Sequence, residues 1–156
     1  DLLDPALLRP NRLGGHILQM QRPAWNESEQ LFKVYLDSAV SDLAQPIEAL
    51  AQQSASYIWA PANIEKYPLA VASFKDGGSE AIPRTALISG DIIRGAVESA
   101  DRLAKRRKRH GGIGTISIED IHNSINQLYG GIPLTAHNLS GYVDWEDSKC
   151  ARVASL

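Results

Sequence analysis

The chain carries a single cysteine, Cys150, which excludes an internal disulfide framework. That scarcity fits a reducing compartment, so a cytoplasmic location is the expectation. No apolar run approaches the roughly 18 residues of a membrane helix, and no signal-peptide pattern stands at the start. Charge of neither sign dominates: 16 Lys and Arg against 18 Asp and Glu leave a net charge of −2. There is thus no global attraction to nucleic acid or to an anionic membrane. His16, His110, His122 and His137 lack the i,i+4 pairing or Cys-x-x-Cys company of a zinc site, and no metal is expected. Gly111-Gly112-Ile113-Gly114-Thr115 lacks the lysine and the G-x-x-x-x-G-K-[ST] spacing of a phosphate loop, and reads as a turn between helices.

What is present suits a folded domain. The 156 residues are 44% hydrophobic and 22% charged, an ordinary globular balance with enough chain for a real core. Residues 1–15 hold two prolines and end in Gly14-Gly15, which predicts a loop. His16 to Gln21 alternates well enough for a short strand, closed by Arg22-Pro23. Asn26, with Glu29 after it, predicts a capped helix whose broad apolar stripe takes in Leu31, Phe32, Val34, Tyr35, Leu36, Ala39 and Val40. A second helix is expected from Pro46, with Ile47, Leu50, Ala51, Ser54, Ala55 and Ile58 on one face. Pro61 and Pro68 are expected to frame a loop.

Two extended runs, Leu69 to Phe74 and Glu80 to Thr85, flank Lys75-Asp76-Gly77-Gly78-Ser79 and predict a β-hairpin. Pro83 cannot donate to a ladder, so its strand belongs at an edge. Ser89 then caps a third helix with Ile92, Ile93, Ala96, Val97, Ala100, Leu103 and Ala104 inward, ending through Lys105-Arg106-Arg107-Lys108-Arg109 into Gly111. Ser117 caps a fourth helix, with Asp120 in its first turn and Ile118, Ile121, Ile125 and Leu128 inward. The last 25 or so residues show little periodicity, and their terminus is expected to be mobile. The expected fold is therefore mainly α: a four-helix packet with an inserted hairpin, preceded by a loop and one short strand.

Two features invite functional readings. Arg9 and Arg12 stand three apart around Pro10-Asn11. Guanidinium groups keep their charge and present a fork of donors suited to phosphate, as an arginine finger does in phosphoryl transfer. The run Lys105 to Arg109 could contact several phosphates of a nucleic acid. Cations at a helix C-terminus, opposing the negative end of its dipole, explain the run more simply. No aromatic residue is interleaved to stack a base.

Asp4-Pro5-Ala6-Leu7-Leu8-Arg9-Pro10-Asn11-Arg12-Leu13 resembles the end of the second region of homology of AAA ATPases, whose usual form is D-P-A-L-L-R-P-G-R-x-D. In that family a strand and a proline follow, then a helical lid. Ser89-Gly90-Asp91-Ile92-Ile93 resembles the S-G-A-D-I element that opens the third lid helix and packs near the adenine of bound nucleotide. A hairpin before that helix is similar to the proteasome-associated AAA ATPases of actinobacteria, the ARC/Mpa type.

The resemblance implies the end of a large ATPase subdomain at residues 1–24 and a helical lid at 25–130 with its hairpin at 69–86. A C-terminal tail follows at 131–156. It implies a parent protein that uses ATP and Mg, forms a hexameric ring, and unfolds or remodels protein substrates, with a proteasome-like protease as a candidate partner. Arg9 and Arg12 would act in trans on the neighbouring subunit's nucleotide, and Ser89, Gly90 and Asp91 would lie near the adenine. Walker A and Walker B elements are absent, so this stretch alone is expected to be inactive and to bind no nucleotide tightly. With its start at Asp1, inside the arginine motif, the chain reads as the C-terminal part of a longer polypeptide. Asn11 replaces the usual glycine, Gly14 stands where aspartate is common, and Val153-Ala154-Ser155-Leu156 replaces the penultimate-tyrosine tail that docks relatives onto a proteasome. The competing readings are a non-enzymatic helical protein-interaction module and, more remotely, a nucleic-acid-binding domain acting through Lys105 to Arg109.

Overall fold

The computed structural model describes residues 22–66, 68–75, 77–132 and 150–155, the side chains of 64–66 and 150–155 excepted. Arg9, Arg12 and the strand expected at 16–21 lie outside the described residues. Five helices and three strands make up the rest: α1 (Trp25–Asp37), α2 (Ile47–Trp59), α3 (Pro61–Lys66), β1 (Ala70–Phe74), β2 (Ser79–Ile82), α4 (Gly90–Arg109), α5 (Ile118–Gly130) and β3 (Cys150–Ser155). A 3₁₀ turn, Arg84–Ala86, joins the hairpin to α4. The mainly α fold with a hairpin set between helices is the one expected.

α1 packs on α2 and α4, and α4 packs on α5. The helical periods place their apolar residues where they meet. Phe32 and Leu36 of α1, Leu50, Ala51, Ala55 and Ile58 of α2, Ile93, Ala96, Val97 and Ala100 of α4, and Ile121, Ile125 and Tyr129 of α5 form one buried core. Full burial of a side chain the size of Ile or Phe favours the fold by about 1.5–3 kcal/mol. Alanines recur on the inner faces of α2 and α4, and Gly95 lies under Leu128, so neighbouring helices approach closely. Trp59 Nε1 donates to Ser28 Oγ at 3.1 Å, tying the end of α2 to a fully buried serine of α1.

The hairpin forms where the two extended runs predict it. β1 and β2 pair antiparallel with Ala70 opposite Ile82 and Ala72 opposite Glu80. Ala70, Ala72 and Ile82 turn inward to the helical core. Gly77 takes φ +89 in the connecting turn, a conformation open to glycine at little cost. The sheet order is β2-β1-β3, which leaves β2 at an edge with Pro83 just beyond it, as Pro83 requires.

Four expectations are corrected. α1 is entered at Ala24, whose N–H donates to Glu27 Oε2 at 2.8 Å; Asn26 lies inside the helix instead of capping it. The helix ends at Asp37, so Ala39 and Val40 fall beyond it, and Val34 and Val40 are exposed, which narrows the apolar stripe. Pro61 does not open a loop: it takes the first position of the short α3, where its missing N–H costs nothing. Cys150–Ser155, expected to lack regular structure, is β3, antiparallel to β1 with Ala72 opposite Val153. Pairing with a distant strand leaves no local period to detect.

Candidate functional site

The serine-glycine element sits at the start of α4, the longest helix among the described residues. Ser89 Oγ accepts from the N–H of Ile92 at 3.3 Å, satisfying one of the otherwise unpartnered first-turn donors. Gly90 is the first helical residue and only half-buried. A Cβ built there would meet Leu31 Cδ1 at 3.9 Å, an ordinary contact, so packing among the described residues does not demand glycine. Asp91 is exposed and pairs with Arg94 at 2.5 Å, which offsets a carboxylate that would otherwise repel an anion from this helix end. The element therefore presents backbone and small side chains at a helix N-terminus, with its charges paired.

A shallow groove of about 300 Å³ runs alongside between α1 and α4, lined by Tyr35, Ala39, Arg94, Val97, Glu98 and Asp101 among others. Its far end is fixed by Asp101. That carboxylate accepts from the N–H of Ser41 at 2.9 Å and from Lys105 Nζ at 2.6 Å. Burial raises the Asp101 pKa, but the hydrogen bonds from Lys105 and Ser41 outweigh it and hold the group below its usual range.

The basic run is split by its contacts. Arg107 folds back over the turn between α4 and α5: Nε donates to Ile113 O at 3.2 Å, and Nη2 donates to Thr115 O at 2.6 Å. Nη1 and Nη2 also reach Asp120 Oδ1 and Oδ2 at 2.5 and 2.7 Å, a bidentate pair. Asp120 further accepts from Ser117 N and Ser117 Oγ, at 2.9 and 2.8 Å, closing a capping box. Burial pushes the Asp120 carboxyl up, yet Arg107 and Ser117 more than reverse it and hold the group below its usual value. The same pairing raises Arg107 above its own. Two of the five cations, Lys105 and Arg107, are thus committed within the fold, while Arg106, Lys108 and Arg109 are exposed. Gly111 to Thr115 is the inter-helix turn expected of it, with Gly111 at φ +78.

Sequence reasoning missed two constellations. One is the second partner of Asp120: the Ser117–Asp120 box was legible, but nothing local marks Arg107 as its clamp across the turn. The other joins α2, the 3₁₀ turn and α5. Tyr57 and His122 stack at 3.8 Å between ring centroids. The Arg84 guanidinium lies over the rings of Tyr57 and Tyr129, 5.2 and 5.8 Å from their centroids. Among the described residues, no group of His, Cys, Asp and Glu is arranged to hold a metal ion, and no helix is long and apolar enough to cross a membrane.

No protein-family model matches the chain. Pairwise similarity is more informative. The chain is 28% identical over 127 residues to an AAA ATPase forming ring-shaped complexes from Corynebacterium efficiens, an alignment covering 81% of this chain and 23% of that protein. It is 27% identical over 148 residues to the protein of the same description from Corynebacterium diphtheriae, covering 93% of this chain and 27% of the relative. It is 26% identical over 137 residues to the proteasome-associated ATPase of Acidimicrobium ferrooxidans, covering 80% and 23%. The chain spans about a quarter of the length of these curated relatives.

Proposed function

We propose that this chain is the lid and arginine-finger part of a ring-forming AAA ATPase that couples ATP hydrolysis to unfolding or remodelling of protein substrates. A proteasome-like protease is the candidate recipient of those substrates. The observation that carries the reading is order. An arginine motif at the start is followed by a helical packet with a hairpin set before its serine-capped helix, and ring-forming ATPases are similar over most of that span. Residues 1–24 close the large subdomain, 25–130 form the lid, and 131–156 form the tail.

In this reading Arg9 and Arg12 act in trans. They place positive charge where the γ-phosphate of the neighbouring subunit's nucleotide accumulates negative charge in the transition state. Ser89, Gly90 and Asp91 approach the adenine of the subunit's own nucleotide. A helix start with paired charges and no bulky side chain suits a neutral base better than a phosphate. The phosphates of ATP and the Mg are held by parts of the ring outside this segment, and α4 transmits the state of the nucleotide to the rest of the lid.

The test uses the ring-forming protein that carries this segment. Arg9→Ala or Arg12→Ala should lower ATP turnover by about 10³-fold or more, with nucleotide affinity nearly unchanged. Turnover retained in both variants would remove the finger assignment. Nucleic-acid binding is disfavoured by the contacts of Lys105 and Arg107, which leave the basic run too little free charge for a tight phosphate track.

A further inference from the structure

The residues around the 3₁₀ turn form a junction that the ATPase reading does not use. The turn, Arg84–Ala86, connects the hairpin to α4 and is held from several sides. Tyr129 Oη donates to Arg84 O at 3.0 Å, and Arg22 Nη1 donates to Ala86 O. Arg84 itself reaches across the faces of Tyr57 from α2 and Tyr129 from α5. Tyr57 is fixed by donating to Asn126 Oδ1 at 3.0 Å and by stacking flat on His122, with 15° between the rings. His122 is half-buried, and its Nε2 is buried without a hydrogen-bond partner among the described residues.

We propose that His122 is a proton-operated latch: its neutral ring seats Tyr57 and the Arg84–Ala86 turn between α2 and α5. Protonation adds a second cation beside Arg84 and loosens the turn together with the hairpin behind it. The physical reason is crowding of like charge. A guanidinium over two aromatic faces is stabilised by their negative quadrupoles. An imidazolium stacked on one of those rings draws on the same electron density, and its charge would be held half-buried beside Arg84.

The charged and titratable groups facing the ring come from each element around it. Arg84, from the 3₁₀ turn, opposes protonation. Glu119, exposed on α5 itself, and the backbone of Gln53, from α2, favour it. Tyr57 and Tyr129 are the phenols of the cluster, and burial raises the Tyr129 pKa, so it stays neutral through the range in question. For His122, burial is the largest influence and Arg84 adds to it, so the balance falls below the ordinary histidine value. The sign follows. The unfolded chain takes up its proton near pH 6.5, the folded chain only at lower pH. Stability is therefore highest above that value and declines as pH falls toward the folded midpoint.

The test follows the His122 ring by NMR in the 156-residue chain from about pH 8 to 5, with amide exchange measured in parallel and expressed relative to each amide's intrinsic rate at that pH. The inference is independent of any nucleotide chemistry, so its failure would leave the ATPase reading untouched. Expected are a His122 midpoint below about 6.5 and exchange at Thr85, Ala86 and the β1–β2 pairs that rises several-fold as the ring protonates. Exchange in the Gly114–Ile116 turn should not change. Arg84→Met should move the midpoint upward. His122→Phe keeps a ring on Tyr57 and should abolish the acid-dependent rise, whereas a merely structural role would change exchange equally at every pH. A midpoint at or above the ordinary value that Arg84→Met leaves in place would overturn the proposal. So would an unchanged acid response in His122→Phe. Should His122→Phe fail to fold, the two midpoints decide alone.

Discussion

Removing the Asp120 carboxylate tests whether the turn between α4 and α5 is held by side chains, as its contacts indicate. Asp120 is 8% exposed at its side chain and accepts from two guanidinium nitrogens of Arg107 and from the N–H and Oγ of Ser117. Asp120→Ala deletes a charge-assisted bidentate pair and half of a capping box. Breaking a fully buried pair costs about 3–5 kcal/mol, but Arg107 is 41% exposed and recovers water once released. Arg107 also keeps its bonds to Ile113 O and Thr115 O. The cost should therefore fall to about 2–3 kcal/mol, nearer the range for hydrogen bonds to charged groups together with a lost cap. Urea unfolding of the chain measures it directly. The cycle of Asp120→Ala with Arg107→Met should return a coupling above about 1 kcal/mol. The pH dependence has a definite sign. Because the folded carboxyl sits below its usual value, the stability it supplies is present above about pH 4 and is lost as pH falls through the folded midpoint. Asp120→Asn should flatten that acid limb. A loss below about 0.5 kcal/mol, the level of ordinary surface substitutions, would refute the reasoning.

Two further outcomes are expected. A Cβ at Gly114 would come within 2.6 Å of Lys108 Cβ, an atom anchored to the backbone of α4, so Gly114→Ala should cost about 1–3 kcal/mol by urea unfolding. Ser89→Ala removes the cap of α4 and should cost about 1 kcal/mol, read in the same assay.

The helical core was legible because its signals are local. The period over Ile47 to Ile58 matches the buried set of α2 almost residue for residue, and Ser89 and Ser117 cap the helices they were expected to cap. The Asp76-Gly77 signal placed the hairpin correctly. What escaped detection depends on partners far along the chain. β3 pairs with β1 across about half the sequence, and no alternation in Cys150–Ser155 announces it. Asn26 reads as the cap because its side chain is a good one by chemistry, whereas the chain enters α1 two residues earlier, where the Ala24 N–H donates to the Glu27 carboxylate. Arg107 looked like one of five equivalent cations, and only the fold of the turn singles it out. The serine-glycine element was found by its resemblance. Its geometry shows a well-capped, charge-paired helix start, which fits the proposed approach of a base without demanding it.

The claim that Arg9 and Arg12 serve a neighbouring subunit is tested most directly by mixing two inactive forms of the ring-forming protein. One form carries Arg9→Ala and Arg12→Ala, with its own nucleotide site intact. The other carries native arginines and a disabled phosphate-loop lysine. In a mixed ring each intact nucleotide site of the first form can border the native arginines of the second. The expected result is ATP turnover in the mixture well above that of either form alone. Turnover no higher than the sum of the separate forms, in rings shown to be mixed, would contradict action in trans.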